Sequence, residues 1–125
     1  MRAKLAKLDT YKERSLSLYA EYLKERTNDQ ILETSFGFAT YRFINDGKSV
    51  YIVDIFVMPE ERKNGLASAL ADQIVRVGKA KGCSELLGTV VPTAKGSTAS
   101  LKVLLGYEME VQSAAQDLIV FRKDI

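Results

Sequence analysis

The stretch VDIFVMPEERKNGLASAL, residues 53–70, decides the fold of this chain. It begins inside Val50–Val57, a run rich in β-branched and aromatic residues that predicts a strand, and Pro59 prevents that strand from continuing as an interior one. From Leu66 onward the apolar residues recur at helical spacing, and Gly82 stands where a glycine commonly follows a helix. The chain is therefore predicted to pass from a strand through a short turn into an amphipathic helix.

The segments on either side of this unit predict further strands and one more helix. Residues alternate between two faces from Phe36 to Phe43 and end at Asn45-Asp46-Gly47-Lys48, residue types that tolerate positive φ, so we expect a hairpin. Downstream, three segments are predicted: a buried strand over Leu86–Val91, a short helix over Thr98–Leu105 stopped by Gly106, and an antiparallel pair of Tyr107–Val111 with Leu118–Arg122.

The N-terminal part predicts a leading helix. Thr10-Tyr11-Lys12-Glu13 has the S/T-x-x-E form of a capping box and marks its start, and Asn28-Asp29 marks its end. The first eight residues alternate roughly between apolar and basic, which favours an edge strand over a helical extension, and Ile31–Thr34 fits neither pattern clearly. Because no repeat, linker or low-complexity tract interrupts this order, we expect residues 1–125 to form a single domain.

The composition excludes several kinds of chemistry. With 125 residues, 46% of them hydrophobic, the chain can bury enough surface to fold without disulfides or a structural metal. It contains no histidine and a single cysteine, Cys83, which excludes Ser-His-Asp hydrolases, Cys-His proteases, histidine-ligated zinc and an internal disulfide. We expect no metal site, and any catalysis must use carboxylates, hydroxyls, amines, the thiol, backbone groups or an organic cofactor.

Charge and hydropathy limit the partners and the location. Lysine and arginine number 18 and acidic residues 16, for a net charge of +2, which is too balanced to favour a nucleic-acid partner. Arg2, Lys4 and Lys7 precede no continuous apolar segment, and no stretch is long enough to span a bilayer. We therefore expect a cytoplasmic protein with no nucleic-acid or membrane partner.

The turn between the strand and the helix has the chemistry of an anion site. Gly65, followed by the small residues Ala67 and Ser68, leaves backbone N–H groups facing unobstructed space at the positive end of a helix. Neither the P-loop pattern nor the dinucleotide-binding G-x-G-x-x-G occurs here. A phosphate site and an ordinary strand-turn-helix connection are the two interpretations of the turn taken alone.

Taken with its flanks, this stretch resembles the acyl-CoA signature of the GNAT superfamily of N-acyltransferases. The family pattern is a strand ending in apolar-x-Val-x-Pro, followed by Arg/Gln-x-x-Gly-x-Gly/Ala and an amphipathic helix. Arg62, Gly65 and Ala67 occupy the three defining positions. Downstream, Leu104-Leu105-Gly106-Tyr107 resembles the family's second marker, a short helix ending in Gly-Phe/Tyr.

This resemblance implies a single α/β domain whose mixed, mostly antiparallel sheet is flanked by helices. Two parallel strands, one ending at Val57 and one over Leu86–Val91, would splay apart and hold acetyl-CoA, the acyl donor, between them. The pyrophosphate would lie on the backbone amides of the turn, and main-chain groups of two strand residues would hold the pantetheine and polarise the thioester carbonyl. The implied donor-binding set is Phe56, Val57, Arg62, Lys63, Asn64, Gly65, Leu66, Ala67 and Ser68.

The resemblance also implies N-acetyl transfer to a primary amine, for which the catalytic candidates are Asp54 and Lys102. Asp54 is the only acid in its apolar strand and is either the base or amine-binding group, or a structural residue paired with a lysine or arginine. The resemblance favours the first role. Lys102 stands where many family members have a tyrosine as general acid. We expect its ammonium to be solvated and the leaving thiolate to be protonated by solvent.

The sequence leaves the acceptor open. Only one clear helix precedes the Phe36 strand, so little chain is available to cover an acceptor site. This favours a protein acceptor, or a site completed by a second subunit in a homodimer, over an enclosed small-molecule pocket. Val53 replaces the glutamate that commonly precedes the aspartate in polyamine acetyltransferases, which disfavours a polyamine. The alternative function is a non-catalytic CoA-binding or protein-interaction module.

Four other residues have simpler interpretations. We expect Tyr107 to be a core aromatic and Cys83 to be an inert buried thiol. Lys79 and Lys81 complement the C-terminus of their helix, or else meet the 3′-phosphate of CoA.

Overall fold

The structure, a computed structural model, describes residues 17–125 apart from the side chains of residues 98 and 99. Within these residues the helices are α1 (Leu18–Arg26), α2 (Leu66–Ala80) and α3 (Ser97–Gly106). The strands are β1 (Gln30–Glu33), β2 (Gly37–Ile44), β3 (Ser49–Val57), β4 (Glu85–Val90), β5 (Glu110–Ala114) and β6 (Ile119–Asp124). A short 3₁₀ turn, Pro59–Glu61, joins β3 to α2.

The six strands form one sheet in the order β1-β2-β3-β4-β6-β5. Neighbouring strands are antiparallel except β3 and β4, which are parallel because α2 carries the chain back between them. The predicted α/β fold, with a mixed, mostly antiparallel sheet flanked by helices, is confirmed.

The predicted hairpin is confirmed, and a further strand precedes it. β2 and β3 are joined by a turn in which residues 45–47 all have positive φ, between 56° and 82°. Strand β1 lies in the segment that fitted neither sequence pattern, and it pairs along its whole length with β2. Four residues are too few to show a period, so the pairing partner alone fixes them as a strand.

The leading helix begins later than the sequence predicts. Ser17 is its N-cap, with extended backbone at ψ 161°, and its Oγ accepts a hydrogen bond from the Ala20 N–H at 3.0 Å. A continuous helix from Thr10 would hold Ser17 in helical conformation, so that prediction is wrong at this point. The capping box at Thr10 and the strand expected in the first eight residues lie outside the described residues.

The main core lies between one face of the sheet and α2. Its fully buried members include Val50, Leu70, Ile74, Leu86 and Phe121. Gly78 lets the helix approach closely, since a Cβ there would come within 2.7 Å of Val50 Cγ1. Cys83 is buried in the same core, as predicted, and burial raises the pKa of its thiol.

The end of α3 differs from the prediction. Gly106 remains helical, Tyr107 forms the C-cap, and the left-handed residue that turns the chain is Glu108, with φ 63°. The Tyr107 hydroxyl donates to Asp72 Oδ1 of α2 at 2.6 Å, and the tyrosine packs against the core as predicted. Because these contacts hold Tyr107 at the helix end, β5 begins at Glu110 instead.

Candidate active site

A cleft opens where the two parallel strands part. β3 and β4 are paired only as far as Ile52 and Gly88, whereas β3 continues to Val57 and β4 to Val90. Beyond this last pair, which we call the vertex, each strand has an edge that is not bonded to the other. The predicted splay of the two strands is therefore confirmed.

A β-bulge at Val53 sets the direction of the side chains that follow it. The residues of β2 pair with Ile52 and then with Asp54, so Val53 is the extra residue of β3. Without the bulge, Asp54 would share the face of Ile52 and point at α2. With it, Ile55 and Val57 pack into the core instead, and Asp54 points to the opposite face of the sheet.

That opposite face carries aromatic side chains and α1. Phe56 stacks on Phe38 with ring centroids 5.6 Å apart, and Phe38 contacts Tyr19 of α1 at 5.7 Å. Tyr19 and Phe56 remain about half exposed, at 50% and 44%. Beside the cleft, this face therefore presents a partly open apolar surface next to the Asp54 carboxylate.

Asp54 has the properties of a candidate base. Much of its side chain is exposed, and within residues 17–125 it makes no hydrogen bond or ion pair. Partial burial, and then the negative charge of Asp29, raise the pKa of the Asp54 carboxyl. Asp29 itself is buried and paired with Arg42 Nε at 2.6 Å. A structural role for Asp54 would require a lysine or arginine paired with it, and the described part of the chain provides no such pair.

The main chain of β3 differs from the expectation at Phe56. The Met58 N–H donates to the Phe36 carbonyl at 2.8 Å, and antiparallel bonding alternates, so the N–H and carbonyl of Phe56 face β2. A side chain at the glycine that begins β2 would overlap the Phe56 carbonyl oxygen, in agreement with this direction. The main-chain groups that face the cleft belong to Ile55 and Val57. Val57 therefore stays in the candidate set, and Ile55 takes the place of Phe56.

Arg62 ties the turn to the end of β3. Its Nε donates to the Val57 carbonyl at 2.8 Å, and its guanidinium carbon lies 5.5 Å from the centroid of the Phe56 ring. The guanidinium is therefore engaged with the strand, and it fixes the position of the turn relative to the cleft.

The turn presents a row of unpaired backbone amides. Lys63 and Gly65 both have left-handed backbone, with φ 71° and 74°, and no side chain of the described residues caps the start of α2. Within residues 17–125, none of the consecutive N–H groups from Lys63 to Ser68 donates to a protein acceptor. A Cβ on Gly65 would meet no atom of residues 17–125 within 4 Å, so the described part of the chain leaves the space before these amides open. Successive free amides at a helix N-terminus suit a phosphate group.

The lysines considered from the sequence lie away from this turn. Lys102 is exposed on α3, whereas Leu101 and Leu104 of the same helix pack against the core. Lys79 and Lys81 are exposed at the C-terminal end of α2, which at 15 residues is about 22 Å long. That distance gives no support to their contact with a CoA 3′-phosphate, and their charge complements the helix C-terminus.

One polar contact at the vertex was missed by the sequence reasoning. Tyr51 Oη and Thr89 Oγ1 lie 2.8 Å apart. Tyr51 precedes the last paired residue of β3, and Thr89 follows the last paired residue of β4. Each is an ordinary strand residue in the sequence, because only the register between two distant strands brings them together.

Within residues 17–125, no three His, Cys, Asp or Glu side chains converge in a way that would hold a metal ion. Among the helices of the same region, none has the length and hydropathy needed to cross a membrane.

The split sheet and the open amide turn define a class of protein: an α/β domain suited to a ligand that bears phosphate groups. A sequence profile of the Acetyltransferase (GNAT) family matches residues 7–107. The chain belongs to this family, which confirms the resemblance found in the sequence.

Relatives and solved structures agree with this assignment. Thialysine N-epsilon-acetyltransferase of Mus musculus is 32% identical over 71 residues, which cover 54% of this chain and 42% of the relative. The chain spans about two fifths of the length of the curated relatives it matches.

Two solved structures share the fold. The IAA acetyltransferase from Bacillus cereus has a TM-score of 0.65 at 16% identity, covering 90% of this chain and 86% of that one. A GNAT family acetyltransferase from Elizabethkingia anophelis with acetyl-CoA bound has a TM-score of 0.64 at 15% identity, covering 90% and 84%. At these identities the two structures support the fold alone.

Proposed function

We propose that the chain is an N-acetyltransferase that moves an acetyl group from acetyl-CoA to a primary amine. Membership of the GNAT family supports the reaction class. The observation on which the proposal mainly rests is the row of unpaired amides from Lys63 to Ser68, placed at the mouth of a cleft between two diverging strands.

Each part of the donor has a proposed contact. The pyrophosphate lies on the amides of the turn, where the positive end of α2 stabilises its charge. The pantetheine runs along the free edge of β3 and bonds to the main chain of Ile55 and Val57. The thioester then lies near the vertex, where a backbone N–H of the edge polarises its carbonyl.

The acceptor amine is proposed to enter from the face that carries Asp54. An ammonium group is not a nucleophile, so it must lose a proton before it attacks the thioester. Asp54 takes that proton, directly or through an ordered water. Its raised pKa makes the carboxylate a better base than an ordinary aspartate, and its charge also attracts the cationic form of the amine.

The acceptor itself is proposed only as a class, primary amines. The curated relatives are named for thialysine, which places thialysine and lysine in the first acceptor panel. Lysine peptides test a protein acceptor, and spermidine tests the polyamines that the sequence disfavours. A homodimer that completes the acceptor site is tested by sedimentation of the same preparation.

The test combines donor binding and transfer. Calorimetric titration with acetyl-CoA measures binding, and thiol release from acetyl-CoA across the acceptor panel measures transfer. We expect binding and acceptor-dependent thiol release. No heat of binding at millimolar acetyl-CoA contradicts the proposal at its first step.

A non-catalytic CoA-binding module is the second candidate. It is favoured by Lys102, which replaces the family's tyrosine acid and lies exposed on α3. Binding of acetyl-CoA with no thiol release, either with the acceptors of the panel or in water alone, would favour this candidate over the transferase.

A further inference from the structure

The hydroxyl pair of Tyr51 and Thr89 bridges the two strands at the vertex of the cleft. Their 2.8 Å contact links the strands by side chains just where the backbone pairing ends. Neither hydroxyl has another hydrogen-bond partner within residues 17–125. One of the two therefore remains able to donate its proton to a group that enters the cleft.

This pair lies on the acceptor side of the sheet. Tyr51 alternates with Val50 and Ile52, which pack towards α2, so Tyr51 projects to the opposite face. The bulge places Asp54 on that same face. A thioester at the vertex would thus be reached by a carboxylate and by a phenol from one side.

We propose that Tyr51 donates the proton that the leaving CoA thiolate needs, an inference that rests on the proposed transferase function. In this role Tyr51 would replace the tyrosine that many family members have at the position of Lys102. Thr89 holds the phenol at the vertex by donating its hydroxyl proton to Tyr51 Oη, which leaves the phenol proton for the thiolate.

The step starts from the neutral amine, whose ammonium proton has already passed through Asp54 to solvent. The amine nitrogen attacks the thioester carbon, a C–N bond forms, and the carbonyl π electrons move to oxygen. As the carbonyl forms again, the C–S bond breaks, its electron pair leaves with sulfur, and the Tyr51 Oη proton moves to that sulfur. Asp54 takes the second proton that the nitrogen loses, and the phenolate regains a proton from solvent.

Arg42 packs over Tyr51. The Arg42 guanidinium carbon lies 5.9 Å from the centroid of the Tyr51 ring, a cation–π contact that restricts the orientation of the ring at the vertex. Arg42 is also paired with Asp29, which holds the guanidinium in place and offsets part of its positive charge. On β4 the facing group is the neutral Thr89, and on β3 the other ionisable group of this face is Asp54.

The test is Tyr51→Phe, which removes the hydroxyl and keeps the ring. We expect kcat for thiol release to fall by about 10²–10⁴, the range typical of a positioned acid, with acetyl-CoA affinity unchanged within about twofold. The same comparison can be made without an acceptor, by following the hydrolysis of acetyl-CoA with water as the nucleophile. Tyr41→Phe is the matched control, because Tyr41 lies on the adjacent strand and packs on the α2 side.

The outcomes separate this inference from the proposed function. An inactive wild-type protein defeats both, whereas an active Tyr51→Phe with kcat within about threefold of wild type overturns only the role of Tyr51. If Tyr51→Phe melts well below the wild type, Thr89→Val replaces it as the test. That variant releases the phenol, and an unchanged kcat in it also overturns the proposal.

Discussion

Lys102 departs from the pattern of many family members, which have a tyrosine at this position. Its side chain lies in solvent on α3, whereas its neighbours Leu101 and Leu104 anchor the helix to the core. A solvated ammonium is poorly placed to protonate a thiolate held inside a cleft. We therefore assign it no chemical step.

The first prediction tests this assignment. Lys102→Ala should lower turnover by less than about tenfold, below the 10²–10⁴ range of a positioned acid. Thiol release at saturating acetyl-CoA measures it. A collapse of turnover in this variant with unchanged acetyl-CoA affinity would instead make Lys102 the acid. Lys102→Tyr is the companion variant, and it raises turnover if α3 has the register of family members with tyrosine.

Asp54 yields a prediction about pH. Burial and the charge of Asp29 raise the pKa of its carboxyl above 3.8, and only the ionised carboxylate can accept the amine's proton. The rate should therefore rise with pH through that elevated pKa. Asp54→Asn should lose this rise and about 10²–10⁴ in kcat/KM. Asp117→Asn, an exposed carboxylate between β5 and β6, is the control. An Asp54→Asn enzyme with the wild-type profile would exclude Asp54 as the base.

At the scale of elements, the sequence predicts what local chemistry determines. The hairpin turn, α2 and the amide turn follow from residue types within a few positions of one another, such as Gly65 before Ala67. The bulge at Val53, strand β1 and the contact of Tyr51 with Thr89 depend on the register between separate strands. Register is a tertiary property, so no single strand's pattern contains it.

The paired end of β3 and β4 is held by a charged network opposite to the cleft. Glu85 accepts hydrogen bonds from Ser49 Oγ at 2.7 Å and from Arg122 Nε at 2.9 Å. Arg122 of β6 also pairs with Asp124. This network joins the first residues of both parallel strands to β6, so it fixes the closed end from which the two strands diverge.

The network predicts a pH dependence of stability. The hydrogen bonds from Arg122, and then from Ser49, hold the pKa of Glu85 below its ordinary 4.5. Glu85 therefore contributes stability that is fully present above about pH 4.5 and is lost as the pH falls through its lowered pKa. Glu85→Gln should melt below the wild type at pH 7, and the difference should shrink in acid. Glu25→Gln, an exposed change on α1, should track the wild type. A constant Glu85→Gln difference at all pH values would contradict this account.

The two sides of the sheet carry the two halves of the proposed site. Tyr107 bonds to Asp72, so α3 lies with α2 on the side of the sheet where the amide turn begins. Asp54 and α1 occupy the other side. In the proposed reaction the donor would therefore pass through the split in the sheet, and its thioester would reach the acceptor side only at the vertex. The splay of β3 and β4 is the feature that makes this arrangement possible.

This arrangement predicts that acetyl-CoA stabilises the whole domain. In the proposed complex the donor bridges β3 and α2 only in the folded state, so at 100 times its Kd it should add about 2.7 kcal/mol to stability. For a chain of 125 residues this would raise Tm by roughly 10 °C. Pantetheine, which lacks the pyrophosphate, should raise Tm less, because the amides from Lys63 to Ser68 stay empty.

Ala67→Glu should remove the acetyl-CoA shift by repelling the phosphates, whereas Ala80→Glu at the far end of α2 should keep it. Equal shifts in these two variants would show that the donor does not bind at the turn.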